Sequence, residues 1–274
     1  MDPYLLYLLF GVALIVALAL LAVRLKAIDA SGAATGAIIS FLALLAGGFI
    51  WLLTIVIFFA VSSGMTRYRY DYKRKLGVAQ EKGGMRSWKN SIANGGVSAL
   101  ASIGELYTHS ELFAVLFLAS VASAMSDTLA TEVGLLSHSR PRLITNIRSI
   151  VEPGVSGGGS GLGALAAFLS ALGMSLFGVT IFPSSVAQVK LLYFGVVVLA
   201  GTLVGVFSDS LLGATVQGQN QCAVCGELTE AQMHHGRPVT RVRGSKYVDN
   251  NIVNLGCTLI GGLAAVLLAL ALHL

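Results

Sequence analysis

The chain has 274 residues, 55% hydrophobic and only 11% charged, with a formal net charge of +5 and a pI near 9.2. That composition excludes a soluble globular protein and predicts an all-α, polytopic transmembrane helical bundle, a single integral membrane domain over residues 1–274. Three cysteines exclude a disulfide framework.

A membrane span needs about 20 mainly apolar residues. Taken in chain order, eight segments read as spans: 4–23, 31–46, 49–63, 90–107, 112–134, 158–179, 189–216 and 251–272. The first opens with MDPYLLYLLF, which lacks a basic n-region and an A-x-A site, so it is expected to be retained. The second and third meet at Gly47-Gly48, which leaves open one kinked or re-entrant element. The fourth is diluted by Asn90, Asn94 and Gly95-Gly96.

Loop charge gives the orientation. With the N-terminus outside, the inside connections are 24–30, 64–89, 135–157 and 217–250, and they hold 17 of the 18 Lys and Arg, all but Lys190. Cytoplasmic loops collect basic residues, so both termini are predicted outside a cell membrane. The positive charge is then mainly topology, with a capacity to hold anionic lipid or phosphate, and implies no nucleic-acid partner. The sequence carries no signal for an oligomeric state.

The fifth span is the most unusual. Its second half, SVASAMSDTLATEVG, carries Asp127, Thr128, Thr131 and Glu132, although a charge at the centre of a span costs about 2.5–3.5 kcal/mol. On a helix Ser120, Ser123, Asp127, Thr131 and Gly134 form one stripe, with Thr128 and Glu132 beside it. Asp127 lies ~10 Å before the inner end. The seventh span brings Asp209 to a similar depth, and Ser126-Asp127-Thr128-Leu129 recurs as Ser208-Asp209-Ser210-Leu211, the trace of a parallel internal repeat. A polar seam gluing helices is the simpler reading of such a stripe. Two carboxylates and two threonines within six residues exceed that need. Asp127, Glu132 and Asp209 are therefore candidate Mg²⁺ ligands, since Mg²⁺ takes one or two carboxylates plus substrate phosphates and water.

The remaining polar groups gather at the same leaflet. Asn90 and Asn94 open the fourth span, and Asp249, Asn250, Asn251 and Asn254 open the eighth. The run Pro153-Gly154-Val155-Ser156-Gly157-Gly158-Gly159-Ser160-Gly161 opens the sixth. It can present backbone N–H groups to phosphate, or let helices approach closely through its GxxxG spacing; both readings stand. Most of the eight basic residues between Arg67 and Lys89 suit a membrane-surface anchor, with Arg86 and Lys89 nearest an anionic substrate. Arg142, Thr145 and Arg148 precede the glycine run. Cys222-x-x-Cys225 with His234 and His235 forms either a structural zinc knuckle or a metal-free reduced loop. Cys257 reads as packing, and no Ser-His-Asp set is evident.

Taken together, SDTLATEVG, ITNIRSIVEPGVSGG, GVFSDSLLGATVQ, CxxCGELTE and NNIVNLG resemble the phytyl-phosphate kinase family of integral membrane proteins, in the same order from Lys89 to Gly256. The resemblance implies a transferase that converts a prenyl monophosphate, with a phytyl, geranylgeranyl or farnesyl chain, to its diphosphate, with CTP as donor. It also suggests kinship with polyprenol kinases and lipid cytidylyltransferases. The chain departs from the family at Val155, where a Thr is common, and at His234-His235, where His-Cys is common.

The expectation is a membrane kinase at the inner leaflet, with Asp127 and Asp209, supported by Glu132, holding Mg²⁺ between donor phosphates. Lys89 and Arg148 would neutralise charge. Asn90, Asn94, Thr128, Thr131, Gly154, Ser156, Gly157, Gly158, Ser210, Gln217, Asn250 and Asn254 would contact nucleotide or isoprenoid phosphate. A polyprenol kinase or lipid cytidylyltransferase is the alternative among enzymes, and a carboxylate-based ion or solute transporter the alternative outside them.

Overall fold

The computed structural model describes residues 2–181, 188–226, 228–229, 233–234 and 236–273. Long apolar runs fold as helices because in a bilayer each backbone N–H and C=O must be paired within its own segment. Helix α1 (Pro3–Arg24) starts with Pro3 at its first turn, and the Asp2 carboxylate accepts from the Tyr4 N–H. Asp29 caps α2 (Ala30–Arg67) through the Gly32 N–H. Short helices α3 (Tyr70–Lys75) and α4 (Glu81–Gly84) lead to α5 (Trp88–Thr108), whose start is fixed by a capping box between Ser87 and Asn90. Next come α6 (Glu111–Gly134), α7 (Gly161–Ile181), α8 (Gln188–Thr215) and α9 (Asn250–Ala271), the last capped by Asp249.

Among the described residues, six helices are long and apolar enough to cross a membrane: α1, α2, α6, α7, α8 and α9. The polytopic helical bundle expected from the sequence is borne out. Helix α5 falls short in hydropathy because of its asparagines and glycines, yet it packs into the bundle against α2, α6 and α9.

Helix α2 accounts for two expected spans. Its 38 residues would reach ~57 Å if straight, but Gly48 has φ +69° and ψ −159° and reverses the chain. The Arg86 backbone bonds to Ala27 and Asp29, next to the start of α2, while the Arg86 guanidinium lies 5.5 Å over the ring of Phe58 in its second half. Residues 30–47 and 49–67 are therefore antiparallel arms. The Tyr7 hydroxyl accepts from the Phe49 N–H, one of the donors freed at the reversal.

Helix α6 is the axis. Its Val115, Phe117, Ala119, Val121, Ala122 and Ala124 are buried at the centre of the core, and Phe117 stacks on Trp51 of α2 at 4.0 Å between centroids. The connections that carry the basic residues meet at one end of the bundle, where Gly154 lies against Val78 and Arg243 donates to the Ser156 carbonyl. Those connections also carry short strands. Strands β1 (Arg142–Leu143), β2 (Asn146–Ile150) and β3 (Gly158–Gly159) form a sheet in the order β2-β1-β3. Strands β4 (Gln219–Gln221), β5 (Leu228–Thr229) and β8 (Thr240–Arg243) form another, and β6 (Met233–His234) pairs with β7 (Arg237–Pro238). Alternation such as Thr240-Arg-Val-Arg is a strand pattern that a search for spans passes over.

Candidate functional site

The site is built on a close three-helix junction. A Cβ on Gly205 of α8 would stand 2.7 Å from Ser123 Oγ of α6 and 2.8 Å from the Cys257 carbonyl oxygen of α9. A Cβ on Gly261 of α9 would collide with the same hydroxyl. Only glycine lets three backbones approach this closely. Ser123 turns its own hydroxyl back to the Ala119 carbonyl, so the junction holds no loose donor there.

One turn from the junction, toward the loop end, stand Asp127 and Asp209. Helices α6 and α8 run the same way, so the four-residue step from Ser123 matches the four-residue step from Gly205. The two side chains are half-buried and lie within interaction range of each other. Like charges brought side by side repel, and a shared cation removes that cost. Buried Cys257 stands within electrostatic reach of both, with its thiol toward the Ser123 carbonyl. Cys257, expected to serve packing, is indeed buried at the junction and also faces the carboxyl pair.

Glu132 does not join this pair, contrary to expectation. Five residues beyond Asp127, it lies about 140° round the helix. It is buried and accepts from Lys73 Nζ at 2.5 Å. Lys73 also donates to the Met65 carbonyl at 2.8 Å, at the end of α2. This lysine, read as part of a surface anchor, is 1% exposed. Arg86 is buried near Glu132; burial pushes its guanidinium down to about 10, and the Glu132 charge pulls the other way. Among the described residues no group of three or more His, Cys, Asp or Glu side chains is placed to hold a metal. The fit for Mg²⁺ rests on two carboxyls, which matches an ion that takes its other ligands from phosphate and water.

The asparagines knit α5 to α9. Asn90 Nδ2 donates to Asn251 Oδ1 at 2.9 Å, while its Oδ1 serves the capping box. Asn94 is buried; its Nδ2 donates to the Asn90 carbonyl, and its Oδ1 has no partner. Asn254 is half-buried one turn before Thr258, which bonds the Ala93 carbonyl, and Asn250 is exposed at the start of α9. Thr128 turns its hydroxyl to the Ala124 carbonyl, Thr131 is exposed, and Ser210 is half-buried.

The glycine run is partly spoken for. Gly157, at φ +79°, lies against Ala214 of α8, and Gly158 and Gly159 pair with Leu143 and Arg142. Ser160 Oγ accepts from the Gly163 N–H and so caps α7. Arg243 clamps the run by donating to the carbonyls of Ser156, at 2.8 Å, and Gly213, at 3.3 Å. Sequence reading missed Arg243, which looks like any basic residue of its loop. Gly154, exposed at φ +85°, abuts Val78, and Gln217 is buried beside Gly213.

Other expected residues lie outward. Arg148 is exposed on β2, and Lys89 is exposed over the Trp88 ring at 5.9 Å. Neither is brought to the aspartates. Cys222 is buried in a turn where the Val224 N–H reaches its sulfur at 3.4 Å, and Cys225 is exposed. The His234 side chain and all of His235 lie outside the described residues.

The chain matches the family model described as Integral membrane protein DUF92 over residues 13–262. It is 31% identical to Protein PGR of Arabidopsis thaliana, covering 90% of this chain and 91% of that protein. An uncharacterized membrane protein of Methanocaldococcus jannaschii is 28% identical over 94% of this chain and 92% of its own. Protein VTE6, chloroplastic, of Arabidopsis thaliana is 23% identical over 88% of this chain and 65% of its own. No solved structure matches.

Proposed function

The chain belongs to the DUF92 family of integral membrane proteins, and from that premise we propose that it is a membrane phosphotransferase that converts a prenyl monophosphate to its diphosphate, with CTP as donor. The observation that carries the reading is the Asp127–Asp209 pair: two carboxyls from parallel helices, brought within interaction range near the basic end of the bundle. The motif resemblance to phytyl-phosphate kinases and the likeness to Protein VTE6, chloroplastic, support it.

In this reading an oxygen of the acceptor phosphate attacks the terminal phosphorus of the nucleotide. The bond to the β-phosphate oxygen breaks, and CDP leaves. The acceptor is already an oxyanion and needs no strong base; the protein supplies position and charge. Asp127 and Asp209 would hold Mg²⁺, which supplies neutralisation of the donor phosphates when bound. Asn90 and Asn94 would orient the acceptor phosphate. We place this site at the cytoplasmic leaflet with both termini outside, because the basic connections gather beside it.

The close contact among Ser123, Gly205 and Gly261 lies just beyond the pair, on the side away from the loops. That closure favours a site reached from one side over a path through the membrane. The test is purified protein with CTP, Mg²⁺ and geranylgeranyl or phytyl phosphate, with diphosphate and CDP as expected products. Pyrophosphate release would turn the reading to a cytidylyltransferase. Labelling of the aspartate region from the outer face would favour a transporter.

A further inference from the structure

Between α1 and the two arms of α2 lies a cavity of about 430 Å³, within the 300–1,000 Å³ usual for small-molecule sites. It runs beside residues 15–25 of α1, a length of ~15 Å, and its walls there are Leu, Ile, Val, Phe and Ala side chains. Its chemistry changes at the loop end, where Ser63, Arg67, Arg86, Asn90 and Asn94 line it.

Arg86 is the unusual member. It is 7% exposed, and among the described residues its guanidinium donates no hydrogen bond and forms no ion pair; it rests over the Phe58 ring. A guanidinium carries five N–H donors, and leaving them unpaired away from water is costly. Ser63 Oγ and Asn94 Oδ1, on the same wall, also have no partner. A phosphate fits this set: its oxygens accept from Arg86 and Ser63, and a P–OH donates to Asn94.

We propose that this cavity binds a lipid monophosphate with a single apolar tail, the tail between α1 and the arms of α2 and the head on Arg86. The inference rests on the phosphotransferase reading for its link to catalysis, since it names where that reaction's acceptor sits. Asn90, which lines the cavity and bonds Asn251 of α9, stands between the head and the helix that carries Cys257 to the aspartates.

Gly36 supplies a direct test. A Cβ there meets only Ile28 at 3.9 Å, an ordinary contact, so a larger side chain can be built into the cavity without a backbone clash. Full-length protein in phosphatidylcholine nanodiscs is titrated with tritiated geranylgeranyl phosphate. Saturable binding is expected, with neither geranylgeraniol nor inorganic phosphate displacing it at equal concentration. Gly36→Leu and Arg86→Gln should each weaken binding about tenfold or more, the loss expected when apolar burial or a charged contact worth ~1.4 kcal/mol is removed. Arg86→Lys should keep most of it, and Gly173→Ala on distant α7 should match the wild type.

Unchanged binding in both Gly36→Leu and Arg86→Gln overturns the site. Equal displacement by phosphatidylglycerol overturns the single-tail specificity. Binding as expected without diphosphate from any nucleotide would sink the phosphotransferase reading and leave the cavity assignment standing. Turnover with an unaltered KM in Gly36→Leu would do the reverse.

Discussion

Lys73 and Glu132 form an ion pair with Nζ and Oε2 2.5 Å apart and side chains only 1% and 3% exposed. The pair joins the end of α2 to α6, because Lys73 Nζ also holds the Met65 and Thr66 carbonyls. A cation at a helix C-terminus is favourable in its own right.

Lys73→Met leaves a bare carboxylate in the core, and breaking one side of a buried pair costs about 3–5 kcal/mol. Thermal unfolding in detergent should show a clear loss of stability. The double variant Lys73→Met/Glu132→Leu should recover much of it, because no charge is left stranded. Equal damage in single and double variants would show that the carbonyl contacts, not the ion pair, matter.

Asp127→Asn and Asp209→Asn should each reduce phosphoryl transfer by about 100-fold or more, the scale seen when one preorganised electrostatic group is removed. Their melting temperatures should hold or rise, since either change relieves repulsion between two carboxyls. Chelation of divalent ions should abolish turnover in the wild type, and added Mg²⁺ should restore it. Full activity in both variants would remove the pair from the mechanism.

Gly205→Val places a branched side chain against Ser123 and Cys257. Overpacking of this kind costs about 1–3 kcal/mol, and here it should also part the aspartates, so turnover should fall further than stability. Gly173→Ala, with no atom within 4 Å of the new Cβ, is the matched control and should be silent in both assays.

Arg243→Ala removes two donor contacts to the Ser156 and Gly213 carbonyls. Charge-assisted bonds contribute about 1.5–3 kcal/mol, so the segment 153–161 should loosen from α8. Faster hydrogen exchange confined to that segment and to β4 and β8 is the expected result, with α5 and α6 unaffected.

The aspartates were legible because charge inside a span is costly, and their equal depth followed from loop charge and helical rise. Their approach was not, because it depends on Gly205 and Gly261 meeting Ser123 from helices distant in sequence. Lys73 was illegible for a related reason: in a Lys-Arg-Lys run nothing local separates a buried ammonium from a solvated one. Glu132 was misassigned by the same gap, since its partner lies 59 residues away. The glycine run allowed two readings, and Gly157 against Ala214, with Ser160 capping α7, bears out close approach. Gly47-Gly48 likewise left open a kink or a return, and the contacts of Arg86 with the start of α2 and with Phe58 in its second half decide for the return.

Gly48 also sets the sidedness of everything after it. If α2 crossed once, the basic stretches before and after it would face opposite compartments, and Glu132 could not meet Lys73. A reversal made at one glycine offers almost no loop for a protease or an inserted tag to report. Reporter fusions that count α2 as one crossing would therefore assign the wrong compartment to the segment between α2 and α5.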